Sequence, residues 1–146
     1  MGAIWNNALG QGNAAEIEEL RGALQKRSLR FVHLKLVPDW VNLTAIRHSR
    51  VAPAIAGRWQ VENNYLPCRM FKNISYGQLG ISNVPKFAEL YQNCHVPGKT
   101  IGELIDNAMS LSERDRLDLT AAQQQVTRRH TYVQKIRNIF RALFEF

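Results

Sequence analysis

The sequence of 146 residues is poor in the features that mark an enzyme, a secreted protein or a membrane span. Its two cysteines, Cys68 and Cys94, exclude a disulfide framework and leave either one bridge or two free thiols, with free buried thiols expected. Zinc needs about four ligands at close spacing, which Cys94, His95 and the distant Cys68 do not supply. His33, His48, His95 and His130 also lack metal-ligating spacing, so neither a metal nor a cofactor is expected. Gly98-Lys99-Thr100 is like the end of a phosphate-binding loop, but Asn93 stands where that motif needs glycine. No paired carboxylates flank a recognisable cleft, and the expectation is a non-enzyme. No apolar run approaches the ~18 residues of a membrane-spanning helix. Met1–Asn13 lacks both a basic start and an apolar run, so no signal peptide is expected.

Acidic residues are scarce in one place. Between Arg21 and Arg58 stand Arg21, Lys26, Arg27, Arg30, Lys35, Arg47, Arg50 and Arg58, with Asp39 as the one acid. Eight cations against one anion give +7, equal to the formal net charge of the whole chain. The first twenty residues are acidic, carrying Glu16, Glu18 and Glu19. A charge run is often only a solvated face. Here the cations would repel one another unless a polyanion neutralised them. Thirteen of the nineteen basic residues are arginine, which suits bidentate phosphate contacts. The candidate DNA-binding residues are therefore Lys26, Arg27, Arg30, Lys35, Arg47, Arg50 and Arg58. Trp40, Trp59 and Phe31 could stack on bases, but their helical spacing favours core packing.

Periodicity predicts an all-α chain. A loose arm over residues 1–12 leads to a helix from Ala14 to about Lys35, capped by Asn13, with Ile17, Leu20, Leu24 and Phe31 along one stripe. Pro38 and Asp39 open a short helix through Ile46, and Pro53 opens another over Ala54–Glu62. Residues 63–84 are the least regular, with a β-hairpin through 68–81 conceivable. Pro85 starts a helix to about Gln92. Thr100-Ile101-Gly102-Glu103 is a capping box ahead of the stripe Ile101, Leu104, Ile105 and Ala108. Ser112 caps a long helix that reaches Phe144. The division expected is a basic helical arm, 1–62, and a C-terminal helical bundle, 63–146. The amphipathic tail 136–146 has three readings: bundle packing, contact with another subunit, or contact with lipid.

At Ser49-Arg50-Val51-Ala52-Pro53-Ala54-Ile55-Ala56-Gly57-Arg58-Trp59-Gln60, followed by Asn64 and Leu66-Pro67, the sequence resembles a known family. It is similar there to the major capsid proteins of archaeal rod-shaped and filamentous DNA viruses, the rudivirus, lipothrixvirus and tristromavirus group. Cys68 separates Pro67 from Arg69, where that family has the basic residue directly after proline. The resemblance implies an N-terminal helical arm and a C-terminal four-helix bundle. It also implies a homodimer, or a heterodimer with a paralogous subunit, enclosing double-stranded DNA in the A form. In a virion this would make a helical filament, assembled in the host cytoplasm, with a lipid envelope in some members facing the outer bundle. Arg50 and Arg58 lie within the matching stretch; the other candidate cations rest on charge. The alternative reading is a regulator with a helix-turn-helix over 39–62.

Overall fold

The computed structural model describes residues 3–6, 13–34 and 37–144. The described chain is predominantly helical, as expected, with one two-stranded parallel pair. Ala3–Asn6 forms β1, where a loose arm was expected, and pairs with β2, Phe31–Leu34, in the register Ala3↔Phe31 to Asn6↔Leu34. Between them α1 spans Ala14–Lys26, so the two strands and α1 make a right-sized crossover unit. Asn13 sits at the N-cap position, but its side chain makes no cap bond, and its Oδ1 is buried without a partner.

The expected helix to Lys35 stops at Lys26 because Ser28 turns into the left-handed region at φ 54°. Ser28 N–H donates to Gln25 O at 3.0 Å and Leu29 N–H to Leu24 O at 2.9 Å. That is a Schellman ending, fixed by Leu29 packing back on the core beside Leu24. The same ending recurs twice. Asn64 (φ 52°) closes α3, Arg58–Glu62, and Gly77 (φ +87°) closes α4, Cys68–Ser75. Their second bonds run from Tyr65 N to Gln60 O at 2.8 Å and from Gln78 N to Asn73 O at 3.0 Å.

Around the motif one expectation fails, and one possibility left open by the sequence is not realised. Pro53 does not open a helix: after α2, Asp39–His48, residues 51–57 are extended and buried, and α3 starts only at Arg58. The hairpin through 68–81 is absent, its first half being α4. Both have one cause. Val51, Ala52, Ala54, Ile55 and Ala56 are 0–3% exposed, and their peptide groups bond to side chains and backbone of the segment that follows. Asn73 Nδ2 donates to Ala52 O at 2.7 Å, and Ala54 N to Ile81 O at 2.8 Å. Asn83 holds both sides of Ala56, accepting from its N–H at 2.8 Å and donating to its carbonyl at 2.9 Å. Arg69 donates to Ile55 O, and burial pulls the pKa of that guanidinium down. The extended form is favoured because it buries small apolar residues while leaving these backbone groups satisfied.

The C-terminal helices follow the expectation more closely. Helix α5 is Pro85–Tyr91 and α6 is Ile101–Ser110, with Thr100 Oγ1 accepting from Glu103 N at 3.1 Å. The Glu103 carboxylate accepts from Lys99 N–H at 2.7 Å, one residue before the position of a capping box. Ile101, Leu104, Ile105 and Ala108 face α1, joining Leu20 and Leu24 with Val51, Ile55, Leu79 and Ile81 in one core. The expected arm and bundle thus share that core. A second cluster holds Ala54, Met70, Ile74, Phe87 and Tyr91.

The long helix to Phe144 is interrupted. Ser112 caps α7, Glu113–Arg129, as expected; His130 leaves the helix, and α8 runs Tyr132–Phe144. The buried side of α7 is polar: Thr120, Gln123 and Thr127, with Leu119, Ala122 and Val126 only half-buried. Gln123, fully buried, accepts from Gly80 N at 2.6 Å and donates to Gly80 O at 3.1 Å. Gln124 donates to Ile74 O at 3.1 Å, and Thr127 shares a 2.8 Å bond with the Tyr91 hydroxyl. Burial pushes that phenol up to about 12 against the opposing Thr127 bond. A Cβ at Gly80 would lie 2.6 Å from Ile74 Cδ1 on α4 and 3.0 Å from Gln123 Oε1 on α7, so the close packing of both helices on this loop depends on glycine there. Replacing Gln123 by Ala strands both Gly80 polar groups, and chemical denaturation should show a loss of about 2–3 kcal/mol. Ser28→Gly should stabilise by about 0.5–1 kcal/mol, since glycine meets the left-handed turn without strain; an unchanged or lowered midpoint would count against the Schellman assignment.

Candidate nucleic-acid interface

The structure places the candidate cations on two parts of the N-terminal half. Lys26 and Arg27 end α1, and Arg30 lies in the connector to β2; all three are exposed. Lys35 lies outside the described residues. Arg47 is in the last turn of α2 beside His48, where cations also complement the helix dipole. Arg50 follows, exposed between buried Ser49 and Val51. Gln78 fixes this corner by donating to Ile46 O at 2.7 Å and to Ser49 O at 3.0 Å. Arg58 stands at the other end of the buried segment, as the first residue of α3. The motif itself, from Val51 to Gly57, is inside the protein, and its two arginines emerge where it meets the surface.

Ion pairing divides these residues. Arg27 Nε lies 2.8 Å from Asp106 Oδ1 and ties the end of α1 to α6. Arg58 Nε lies 2.7 Å from Glu62 Oε1, one turn along α3, and that hydrogen bond, then the charge, raises its pKa. Arg21 pairs with Glu18 at 3.5 Å and covers the Phe31 ring at 5.4 Å. Asp39, the acid inside the basic run, lies 3.7 Å from Lys72 Nζ. Lys26, Arg30, Arg47 and Arg50 are exposed and form no ion pair among the described residues. Of the described candidates, these four are the ones most open to an outside phosphate.

Trp40 and Trp59, expected in the core, are 71% and 66% exposed. The interior space is taken by the extended segment instead, and Phe31 alone of the three rests partly on the core. Trp59 and Tyr65 sit with ring centroids 6.4 Å apart next to Arg58. They offer apolar faces to which bases could stack. Cys68 and Cys94 are free, as expected, but Cys68 is exposed and Cys94 half-buried. Burial raises the Cys94 thiol above its ordinary value. Among the described residues no group of three histidine, cysteine or acidic side chains could hold a metal. None of their helices is long and apolar enough to cross a membrane.

A second basic surface was not singled out from the sequence. Arg128 and Arg129 end α7 and, with Gln125, Gln134 and Asn138, line an open polar hollow of about 720 Å³ between α7 and α8. Its signal in the sequence is the absence of any Asp or Glu from Leu119 to Phe144, a span with five Arg and Lys. Comparison with known proteins adds no relative: no protein-family model matches the chain, and no curated protein matches it.

Charge alone assigns about three units of salt slope in DNA binding to Arg47, Arg50 and Arg58 together. Pairing with Glu62 changes the division. Arg47→Ala with Arg50→Ala should lower the slope of log K against log salt by about two, and adding Arg58→Ala should lower it by less than about one more. Fluorescence anisotropy across a salt series reads both; an unchanged slope in the double variant means those arginines face elsewhere.

Proposed function

We propose that the chain is a structural protein that coats double-stranded DNA, binding phosphates without reading sequence and assembling into a helical filament. The observation that carries this reading is the set of exposed cations Lys26, Arg30, Arg47 and Arg50, which form no ion pair among the described residues, in a half of the chain with a large charge excess. Unpaired surface cations gain most from counterion release on a polyanion. The resemblance at Ser49–Gln60 supports the more specific proposal of a virion capsid protein, present in the host cytoplasm during assembly. It supports A-form DNA, a homodimer or a pair with a paralogous subunit, and lipid over the outer helices. Neither a catalytic role nor a cofactor enters the proposal.

The finer architecture that goes with it is a basic arm over 1–62 and a helical bundle over 63–146. In the free chain the arm is folded back, with α1 on α6 and residues 51–57 in the shared core. Engagement of DNA would use its exposed rim, because undocking α1 exposes Leu20 and Leu24, both fully buried. Two fully exposed leucines cost about 3–6 kcal/mol, more than a rim contact requires.

The alternative, a helix-turn-helix regulator over 39–62, is less well supported. Helices α2 and α3 are separated by residues 49–57, whereas that motif joins its helices by a turn of about 3–4 residues. Helix α3 has five residues, little to lay in a major groove. Competition at fixed salt between unrelated duplexes distinguishes the two: a coat protein binds them nearly alike, and a regulator prefers one by about 4 kcal/mol or more. Strong discrimination would overturn the coat reading. Electron microscopy of protein mixed with linear DNA should show nucleoprotein filaments of uniform width.

A further inference from the structure

Helix α8 is the part of the molecule that its own fold leaves unexplained. None of its residues is buried, and it has no substantial packing partner among the described elements. Yet Tyr132, Val133, Ile136, Ile139, Phe140, Leu143 and Phe144 are 52–80% exposed and occupy one side. At about 100° per residue they cover an arc of about 140°, the width of a core-facing stripe. Lys135 and Arg141 lie on the opposite side, and Arg137 lies at the edge of the stripe. Phe140 and Phe144 stack within the stripe, with centroids 5.6 Å apart.

We infer that this face is where two copies of the chain meet, α8 of each covering the apolar side of the other across a two-fold axis. Three features select a second copy. Val133, Ile136, Phe140 and Leu143 follow the 3-4-3 spacing of a coiled-coil seam, the pattern by which a helix recognises another helix. The seven side chains expose roughly 800 Å² at the areas usual for such residues, which is the share of one partner in a standard interface. That is also more than the about 300–600 Å² that a monomer ordinarily leaves as its largest patch. Finally, a helix of 13 residues is marginal alone in water and gains its order from packing. The seam closes on a pair, the unit from which the proposed filament would be built through other contacts, and it stands without DNA binding.

The charge on α8 gives the pairing a signature. No acid lies between Leu119 and Phe144, so Arg137 of each copy approaches like charge at the seam edge. Salt screens that repulsion, and the dimer should hold or strengthen from about 0.1 M to about 1 M salt. Docking on an anionic surface would weaken over the same range.

Sedimentation equilibrium of the full chain without nucleic acid tests the inference. The wild type should be a dimer at micromolar concentration. Phe140→Asp should weaken association by about 100-fold or more while the thermal unfolding of the body is unchanged, since Phe140 is exposed and no residue of α8 belongs to either core cluster. Lys135→Glu, on the opposite side, should leave the dimer intact. A wild type that stays monomeric, a Phe140→Asp variant that still dimerises, or a dimer that dissociates as salt rises would each overturn the pairing. So would a monomer that co-sediments with phosphatidylglycerol vesicles and loses them on Phe140→Asp, which would give the face to lipid. DNA binding in the same samples is read separately, so its failure and that of the seam are distinguishable.

Discussion

The fold rests on a stretch of backbone that has given up water without entering a helix or a sheet. From Val51 to Gly57 the chain is extended and buried. A buried peptide group without a partner costs about as much as a lost hydrogen bond, so each one here needs an answer. The answers come largely from side-chain amides. Asn73 on α4 and Asn83 in the following loop hold Ala52 and Ala56, and Gln78 secures the corner before them. Gln123 on α7 does the same for Gly80 in the adjoining loop. Such amides carry both a donor and an acceptor, so they complete irregular backbone as a neighbouring strand would. This accounts for the polar buried side of α7: it packs on exposed peptide groups, and glutamine and threonine serve there better than leucine.

The same constraint positions the candidate interface. Since the interior of the Ser49–Gln60 motif is core, its small residues are explained by packing. What the motif offers to the outside is its two ends, Arg50 and Arg58. Between them runs a buried segment held by bonds at Ala52, Ala54, Ile55 and Ala56, which fixes the separation of the two cations. Ion pairs then sort the basic residues into those that brace the fold, Arg27 to Asp106 and Arg58 to Glu62, and those that do not. Exposed pairs of this kind contribute little to stability. Their larger effect is to reduce the net positive field at their positions.

Much of the helical content was legible. The stripe and cap of α6, the proline start of α5, the serine cap of α7 and the first helix through Lys26 follow from residue spacing and end chemistry. The misses share a cause. Ser28 and Asn64 end their helices in left-handed turns that carry no glycine to mark them, and the stop at Ser28 depends on Leu29 finding a place on the core. Helix α4 is short and lies in the least regular stretch of the sequence, and its buried Asn73 serves a distant partner, Ala52 O, that no local pattern reveals. Trp40 and Trp59 have the spacing of core residues and are exposed, because the core is filled from 51–57.

By itself the sequence determined the charge distribution, the helical class, and the caps and stripes of the helices whose signals are local. Those properties depend on neighbours within one or two turns, which periodicity captures. The tertiary structure alone decided that Val51–Gly57 is extended, that α7 buries glutamine and threonine, which basic residues are paired, and that α8 stands uncovered. Each of these depends on partners distant in the chain, such as Gln123 for Gly80 or Asp106 for Arg27. No local pattern encodes which buried group will meet which side chain. That pairing exists only once the backbone has closed.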